Sequence, residues 1–288
     1  MSTAIRDITG VVTPQPVVEG AGVHLRRSIA TPTLDHVDPF LLLDHFQSVN
    51  PSDYEPGFPY HPHRGIETVT YMISGEVKHG DSLGNRGSIG GGDVQWMTAG
   101  SGIMHEEMPQ VRPEGINGFQ LWVNLPAREK MTRPRYQDIR QATIPEAVTD
   151  DGARVRVIAG SAGGVEGPVG GIAAEPLYLD VTVSPGGRFR QAVPAGHSAF
   201  AYVFEGEGRF GGGSAKTVAS PRLVLFGDGE AIEVSASEKP VRFLLVAGKP
   251  FREPIARYGP FVMNTRQEIE QTLRDLQTGR FIRKEPKQ

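Results

Sequence analysis

Phe119-Gln120-Leu121-Trp122-Val123-Asn124-Leu125 places an apolar side chain at every second position, with Gln120, Trp122 and Asn124 between them. Successive side chains of an extended chain point to opposite faces, so this spacing reads as a β-strand rather than a helix, whose faces repeat every 3.6 residues. Similar short strands are expected at Ile66 to Ile73, Val94 to Met97, Arg154 to Ala159, Leu177 to Val183, Ala199 to Phe204, Leu223 to Phe226 and Val241 to Val246. Glycine and proline supply 36 and 23 of the 288 residues and are spread between these segments, the punctuation of frequent turns in an all-β chain. Helix is expected only near the end. There Thr265-x-x-Glu268 forms a capping box, Ile269, Leu273 and Leu276 follow at helical spacing, and Gly279 stands as a C-cap, giving a helix over about 265–279.

A weak internal echo predicts two similar β halves. Ile73-Ser74-Gly75-Glu76 matches Phe204-Glu205-Gly206-Glu207, and Gly92-Asp93 recurs as Gly227-Asp228. The expected domains are residues 1–150 and 151–288, with the glycine-rich segment 161–175 as a linker or surface excursion near the boundary.

Two pairs carry the chemistry: His61-Pro62-His63, and His105-Glu106-Glu107 further on. Residues two apart on a strand point the same way, so each pair can aim two donors at one point, and three imidazoles with a carboxylate suggest a metal site. The alternative, histidines that merely cluster on the surface or in the core, fits a lone histidine better than two ligand-spaced pairs. Imidazole suits iron, copper, nickel and zinc, whereas an all-oxygen cage would favour magnesium or calcium. Without a thiolate, a closed structural zinc site is disfavoured. Registering the halves on Gly75 and Gly206 sets His61 and His63 opposite Ala192 and Pro194. Registering Gly92 on Gly227 sets His105 and Glu107 opposite Pro240 and Arg242. The second half then lacks a metal site, leaving one ion per chain.

Composition narrows the partners. Lys and Arg number 30 against 33 Asp and Glu, so no basic surplus points to nucleic acid. Cysteine is absent, which suits a reducing cytoplasm. Met1 to Gly10 holds no apolar leader, and the longest aliphatic run, Phe40 to Leu43, is far too short to span a membrane. A cytoplasmic protein without membrane contact is expected.

Two longer stretches extend the pattern: Phe58-Pro-Tyr-His-Pro-His-Arg-Gly-Ile-Glu-Thr-Val-Thr-Tyr71 and Gly92-Asp-Val-Gln-Trp-Met-Thr-Ala-Gly-Ser-Gly-Ile-Met-His-Glu-Glu-Met-Pro109. With Asp38-Pro-Phe-Leu-Leu-Leu-Asp44, Leu121-Trp-Val-Asn-Leu125 and Arg252-Glu-Pro-Ile-Ala-Arg-Tyr-Gly-Pro-Phe-Val-Met-Asn-Thr265, they resemble the pirin family of bicupins over nearly the whole chain. The resemblance implies two antiparallel cupin (jelly-roll) β-barrels with a short C-terminal helix. It also implies an iron-type centre in the N-terminal barrel, held by residues matching His61, His63, His105 and Glu107. Fe(II) is the first expectation, with Cu, Ni, Mn, Co or Zn as others. Some bacterial members resemble quercetin 2,3-dioxygenases, implying a polyphenolic ligand such as quercetin, dioxygen as co-substrate, and Glu107 as the catalytic base. The animal namesake is described as a nuclear transcriptional co-regulator. The competing expectation is therefore a metal-dependent regulatory protein with a protein partner and no flavonol turnover. Ordinary cupins take their carboxylate ligand shortly after His-x-His, where Glu67 stands. The pirin arrangement takes it from His-x-Glu, so Glu107 is assigned and Glu67 left outside, while Glu106 should face away by alternation.

Other residues have weaker readings. Arg64 could orient an anionic substrate, but a salt-bridged or exposed arginine is the commoner fate. Phe58, Met72, Trp96, Met97 and Met104 could line an apolar pocket or simply pack the interior. Gly100 and Gly102 should let the backbone turn close to the ligands. His24, His36, His45, His79 and His197 lack a ligand-spaced partner, and Asp81 reads as a hairpin residue.

Overall fold

The computed structural model describes residues 4–283. Among them strands dominate, and the single α-helix is Arg266–Gln277. No helix is long and apolar enough to cross a membrane. The helix begins as the sequence requires: Thr265 is its N-cap, Thr265 Oγ1 accepts from the Glu268 amide, and the Glu268 carboxylate accepts from the Thr265 amide at 2.8 Å. Two otherwise orphaned amides are thereby satisfied.

The chain forms two cupin-like units. One comprises Pro16–Gln141 with Phe251–Gln288, the other Met1–Gln15 with Ala142–Pro250. This differs from the sequential division expected at 150/151, because both ends of the chain cross over and the C-terminal helix belongs with the first unit. Pairing and hydrogen bonds explain the exchange at the N-terminus. Strand Ile8–Val12 pairs antiparallel with Arg222–Phe226. The buried Arg6 guanidinium donates to the carbonyls of His197 at 2.7 Å, Pro194 at 2.8 Å, Gly229 at 3.1 Å and Gly227 at 3.2 Å.

The first unit is built on two larger antiparallel sheets, beside the short antiparallel pair Ala256–Tyr258 and Phe261–Met263. Seven strands run in the order Arg135–Ile139, Val94–Thr98, Ile66–Ser74, Ile116–Asn124, Phe40–Ser48, Val23–Ile29 and Gln15–Glu19. Four run in the order Phe58–His63, Ile103–Gln110, Glu76–Asp81 and Arg86–Gly90. Neighbours that are distant in sequence are the mark of a jelly-roll connection. Phe119, Leu121 and Val123 are fully buried on one face of the large sheet, while Gln120 and Trp122 on the other are half-buried.

In the second unit the principal path is Ile8–Val12, Arg222–Phe226, Ser198–Phe210, Val241–Gly248, Leu177–Val183, Ala153–Ala159 and Glu146–Val148. Its core includes Phe243, edge-on to Phe189 and Phe210 at centroid distances of 5.9 and 5.2 Å. Segment 161–175 is neither linker nor loose excursion. It opens with the hairpin Ser161–Ala162 and Val165–Glu166 and buries Ala162, Val169, Ile172 and Ala174. Its small residues are those that fit against a filled core.

Half of the internal echo is structural. Gly75 and Gly206 both adopt positive φ, and a Cβ would lie 2.5 Å from the Gly115 carbonyl oxygen in one and 2.0 Å from that of Pro240 in the other. Each lets a strand bend against its neighbour. The other half fails. Gly92-Asp93 precedes strand Val94–Thr98, whereas Gly227-Asp228 follows strand Arg222–Phe226. Pro240 and Arg242 are therefore not the counterparts of His105 and Glu107. His105 pairs with His61, and in the second unit Ala231 pairs with Ala192.

Candidate metal centre and cavity

The two ligand-spaced pairs come together because their strands are partners. Phe58–His63 and Ile103–Gln110 are antiparallel neighbours in register at His61 and His105. The chelating nitrogens of His61, His63 and His105 all lie within 4.8 Å of one another. Ring centroids are 4.4 Å apart for His61 and His105, 4.9 Å for His61 and His63, and 5.0 Å for His63 and His105.

Three features test whether this cluster suits a metal ion. His61 Nδ1 lies 2.9 Å from the Pro59 carbonyl, which it can reach only as a donor, so its lone pair is on Nε2. That Nε2 is 3.0 Å from His63 Nε2. Two nitrogens bound at right angles to one ion, each about 2.1 Å away, would stand about 3.0 Å apart. Both ring nitrogens of the buried His105 have no hydrogen-bond partner among the described residues. Leaving a buried polar group unpaired costs about 1–3 kcal/mol, and a bound cation would take up the lone-pair nitrogen of the His105 ring. Burial, reinforced by neighbouring imidazoles, holds His63 and His105 well below the usual histidine range. They are neutral and carry the lone pairs a metal needs.

Glu107 stands differently. The register against Phe58–His63 shifts between His105 and Glu107, and the carboxylate is outside the imidazole triad. Glu107 is buried, and its Oε1 accepts from Thr70 Oγ1 at 2.9 Å. Thr70 Oγ1 is also 2.7 Å from the atom assigned as Gln120 Oε1. One hydroxyl cannot donate to both, so the Gln120 amide turns its NH₂ to Thr70, giving a chain from Gln120 through Thr70 to Glu107. Glu67 lies elsewhere: buried, it accepts from Thr98 Oγ1 at 2.7 Å and Trp96 Nε1 at 3.1 Å. Burial pushes its carboxyl up to about 7 against those bonds.

His61, His63 and Glu107 open onto a cavity of about 570 Å³. Its walls include Phe46, Phe58, Trp122, Leu25 and Val77, with Thr70 and Gln120 beside Glu107. Asp44, Arg27, Glu19 and Arg257 make a charged region of the same wall. Arg27 is fork-bonded to Asp44 at 2.8 and 2.7 Å and bonded to Glu19 at 2.7 Å. Burial raises the Asp44 carboxyl to about 6 against the pull of Arg27.

Of the weaker expectations, Phe58 lines the cavity, but Met72, Trp96 and Met97 are packed in the interior and Met104 joins a cluster with the C-terminal helix. Arg64 is buried and salt-bridged to Asp275 at 2.8 Å. Asp81 accepts from the amides of Leu83 and Asn85 at 2.8 and 2.9 Å, a turn role. His79 is buried opposite Glu107. Thr70, Gln120, Asp44, Arg27 and Arg257 escaped the sequence reading. The available signal was period-two spacing: Leu42, Asp44 and Phe46, like Gln120 and Trp122, all line the cavity.

Comparison with known proteins bears on the family and the fold. The Pirin family model matches residues 22–123, and the Pirin C-terminal cupin domain model matches residues 178–282. A Pseudomonas aeruginosa protein named "Putative quercetin 2,3-dioxygenase" is 46% identical over 285 residues, covering 96% of this chain and 98% of its own. Human Pirin is 42% identical over 265 residues, covering 91% of this chain and 89% of its own. The crystal structure of an Acinetobacter baumannii quercetin 2,3-dioxygenase superposes with a TM-score of 0.86 at 34% identity, covering 96% of this chain and 98% of that one.

Proposed function

The chain belongs to the pirin family, and from that premise we propose that it is a metal-dependent dioxygenase that opens the heterocyclic ring of a flavonol such as quercetin. The observation that carries the reading is a coincidence of place. Two members of a triad of imidazoles, His61 and His63, line a cavity that is apolar and aromatic over most of its wall. Such a cavity holds flat aromatic rings, and the few polar groups fix their orientation. The substrate class rests on similarity to proteins named quercetin 2,3-dioxygenase.

In this reading His61, His63 and His105 hold one divalent ion, with Fe(II) ahead of Cu, Ni, Mn, Co or Zn, and Glu107 serves as ligand or base. When bound, the ion supplies Lewis acidity to a chelating hydroxyl and a redox partner for dioxygen. Glu107 accepts the flavonol hydroxyl proton. Thr70 pins Oε1 and leaves Oε2 free to receive it. Trp122 and Phe58 flank the ring system, and Val77, Leu25 and Phe46 limit the water that reaches it. A cysteine-free chain has no need of an oxidising compartment, and cytoplasmic action completes the reading.

Elemental analysis followed by oxygen-electrode measurements with quercetin, on protein reconstituted with each metal in turn, tests it. Oxygen uptake stoichiometric with quercetin loss is expected for at least one metal. A metal-loaded protein inert with all of them would overturn the dioxygenase reading.

A further inference from the structure

Resting on that reading of the cavity as a ligand site, we propose that Arg257 determines specificity by receiving an anionic oxygen group of the aromatic ligand. Arg257 lies on strand Ala256–Tyr258, in the segment that returns from the second unit to complete the first. With Gly259 and Pro260 it forms part of the cavity wall. Its Cζ is 5.2 Å from the Trp122 ring, whose own centroid is 5.2 Å from that of His63. The guanidinium and His63 therefore face the cavity one indole apart, a span that linked aromatic rings can bridge.

What singles out Arg257 is its unspent hydrogen-bonding capacity. Among the described residues its only hydrogen bond is from Nη1 to the Leu41 carbonyl at 3.3 Å, and no carboxylate lies within ion-pair reach. Arg27 in the same wall shows the contrast, because Asp44 and Glu19 together take its Nε, Nη1 and Nη2. A guanidinium has five N–H donors in a flat fork. Arg257 is exposed, so water fills those donors in the free protein, and a ligand that brings acceptors can take them over while the indole braces the guanidinium. A carboxylate or sulfonate offers two or more strong acceptor oxygens with the matching charge, and an ionised phenol offers one. Arg27 balances only one of the two carboxylates Asp44 and Glu19, and Asp35 also acts on Arg257, so the surroundings weaken an anion's attraction and only direct contact with the guanidinium supplies the preference.

Two matched probe pairs test the proposal by binding alone: quercetin against quercetin-5′-sulfonate, and caffeamide against caffeate. Each is titrated into the metal-loaded protein and into Arg257→Gln and Arg257→Lys variants. The wild type should bind the anionic member of at least one pair about tenfold more tightly, equivalent to about 1.4 kcal/mol. Arg257→Gln should bring that ratio to about one, with the neutral member's Kd changed by less than about twofold, and Arg257→Lys should keep part of the preference. Equal weakening of both members would mean that Arg257 merely braces Trp122, and the proposal would fall. It would fall equally if the wild-type ratio is near one in both pairs, if the preference survives in Arg257→Gln, or if none of the four compounds binds. Anion preference without quercetin turnover would sink the dioxygenase reading and leave this one standing.

Discussion

Glu107 and Glu67 compete for the role of working carboxylate, and their surroundings separate them. Glu107 borders the cavity with one oxygen engaged by Thr70, whereas Glu67 has both oxygens occupied by Thr98 and Trp96. Glu107→Gln keeps the shape and an oxygen donor but removes most of the basicity. Quercetin-dependent oxygen uptake should drop by roughly 10², the usual worth of a general base, while much of the metal is retained. Glu67→Gln should do far less to either quantity. Near-normal uptake in the Glu107 variant with a dead Glu67 variant would reverse the assignment. Glu67 should instead show itself in stability. Its folded carboxyl titrates near 7, above its ordinary 4.5, so between those values the native state holds a proton that the unfolded chain has released. Stability conferred by this group is present at acid pH and declines as pH rises through that window. Urea denaturation at pH 5 and pH 8 should show a smaller loss in Glu67→Gln than in the parent, and an identical loss would refute the account.

The C-terminal helix is the element whose role was least visible in advance. Its capping box, apolar spacing and C-terminal glycine were legible because they are local signals, complete within fifteen residues. Its partner was not. Arg64, adjacent to the His61-x-His63 pair, donates to the Ser101 carbonyl at 2.7 Å, to Thr272 Oγ1 at 3.3 Å, to Asp275 at 2.8 Å and to the Phe281 carbonyl at 3.2 Å. A single buried guanidinium thus joins the end of one ligand strand, the approach to the other, and the helix. At Gly102 a Cβ would lie 2.7 Å from the Phe281 carbonyl oxygen, so the helix-following segment sits directly on the turn before His105. Asp275→Ala should cost on the order of 2 kcal/mol by stranding a hydrogen-bonded charge. It should also weaken metal retention by about tenfold, the scale of an outer contact that orients a ligand. Competition with a chromophoric chelator measures the second effect. Lost stability with unchanged metal affinity would show that the helix is only structural.

On the scale of the whole molecule, the site belongs to one unit assembled from two distant parts of the chain. A fragment of residues 1–150 would lack Phe261, Val262 and Met263, which pack in the first unit, and the carbonyl of Val262 that Lys130 Nζ meets at 2.8 Å. It should be largely unfolded by circular dichroism, whereas residues 16–141 joined through a flexible linker to 251–288 should fold and bind metal. The reverse outcome would contradict the crossed arrangement. Metal stoichiometry should approach one per chain, since Ala192, Pro194 and Ala231 stand where the first unit has imidazoles, and a value near two would show a site the second unit conceals. The sequence by itself determined the strands, the helix with its caps, the pairing of His61 with His63, and the family. Each of these is written in spacing over a few residues or in a long run of matched side chains. Only the tertiary structure decided that His105 faces His61 across a strand pair, that Thr70 holds Glu107, and which face of Phe119–Leu125 lines the cavity. It alone decided that residues 251–283 close the first unit and not the second. Period two tells that side chains alternate but not which side is covered by what, and no local pattern records which distant segment supplies the cover.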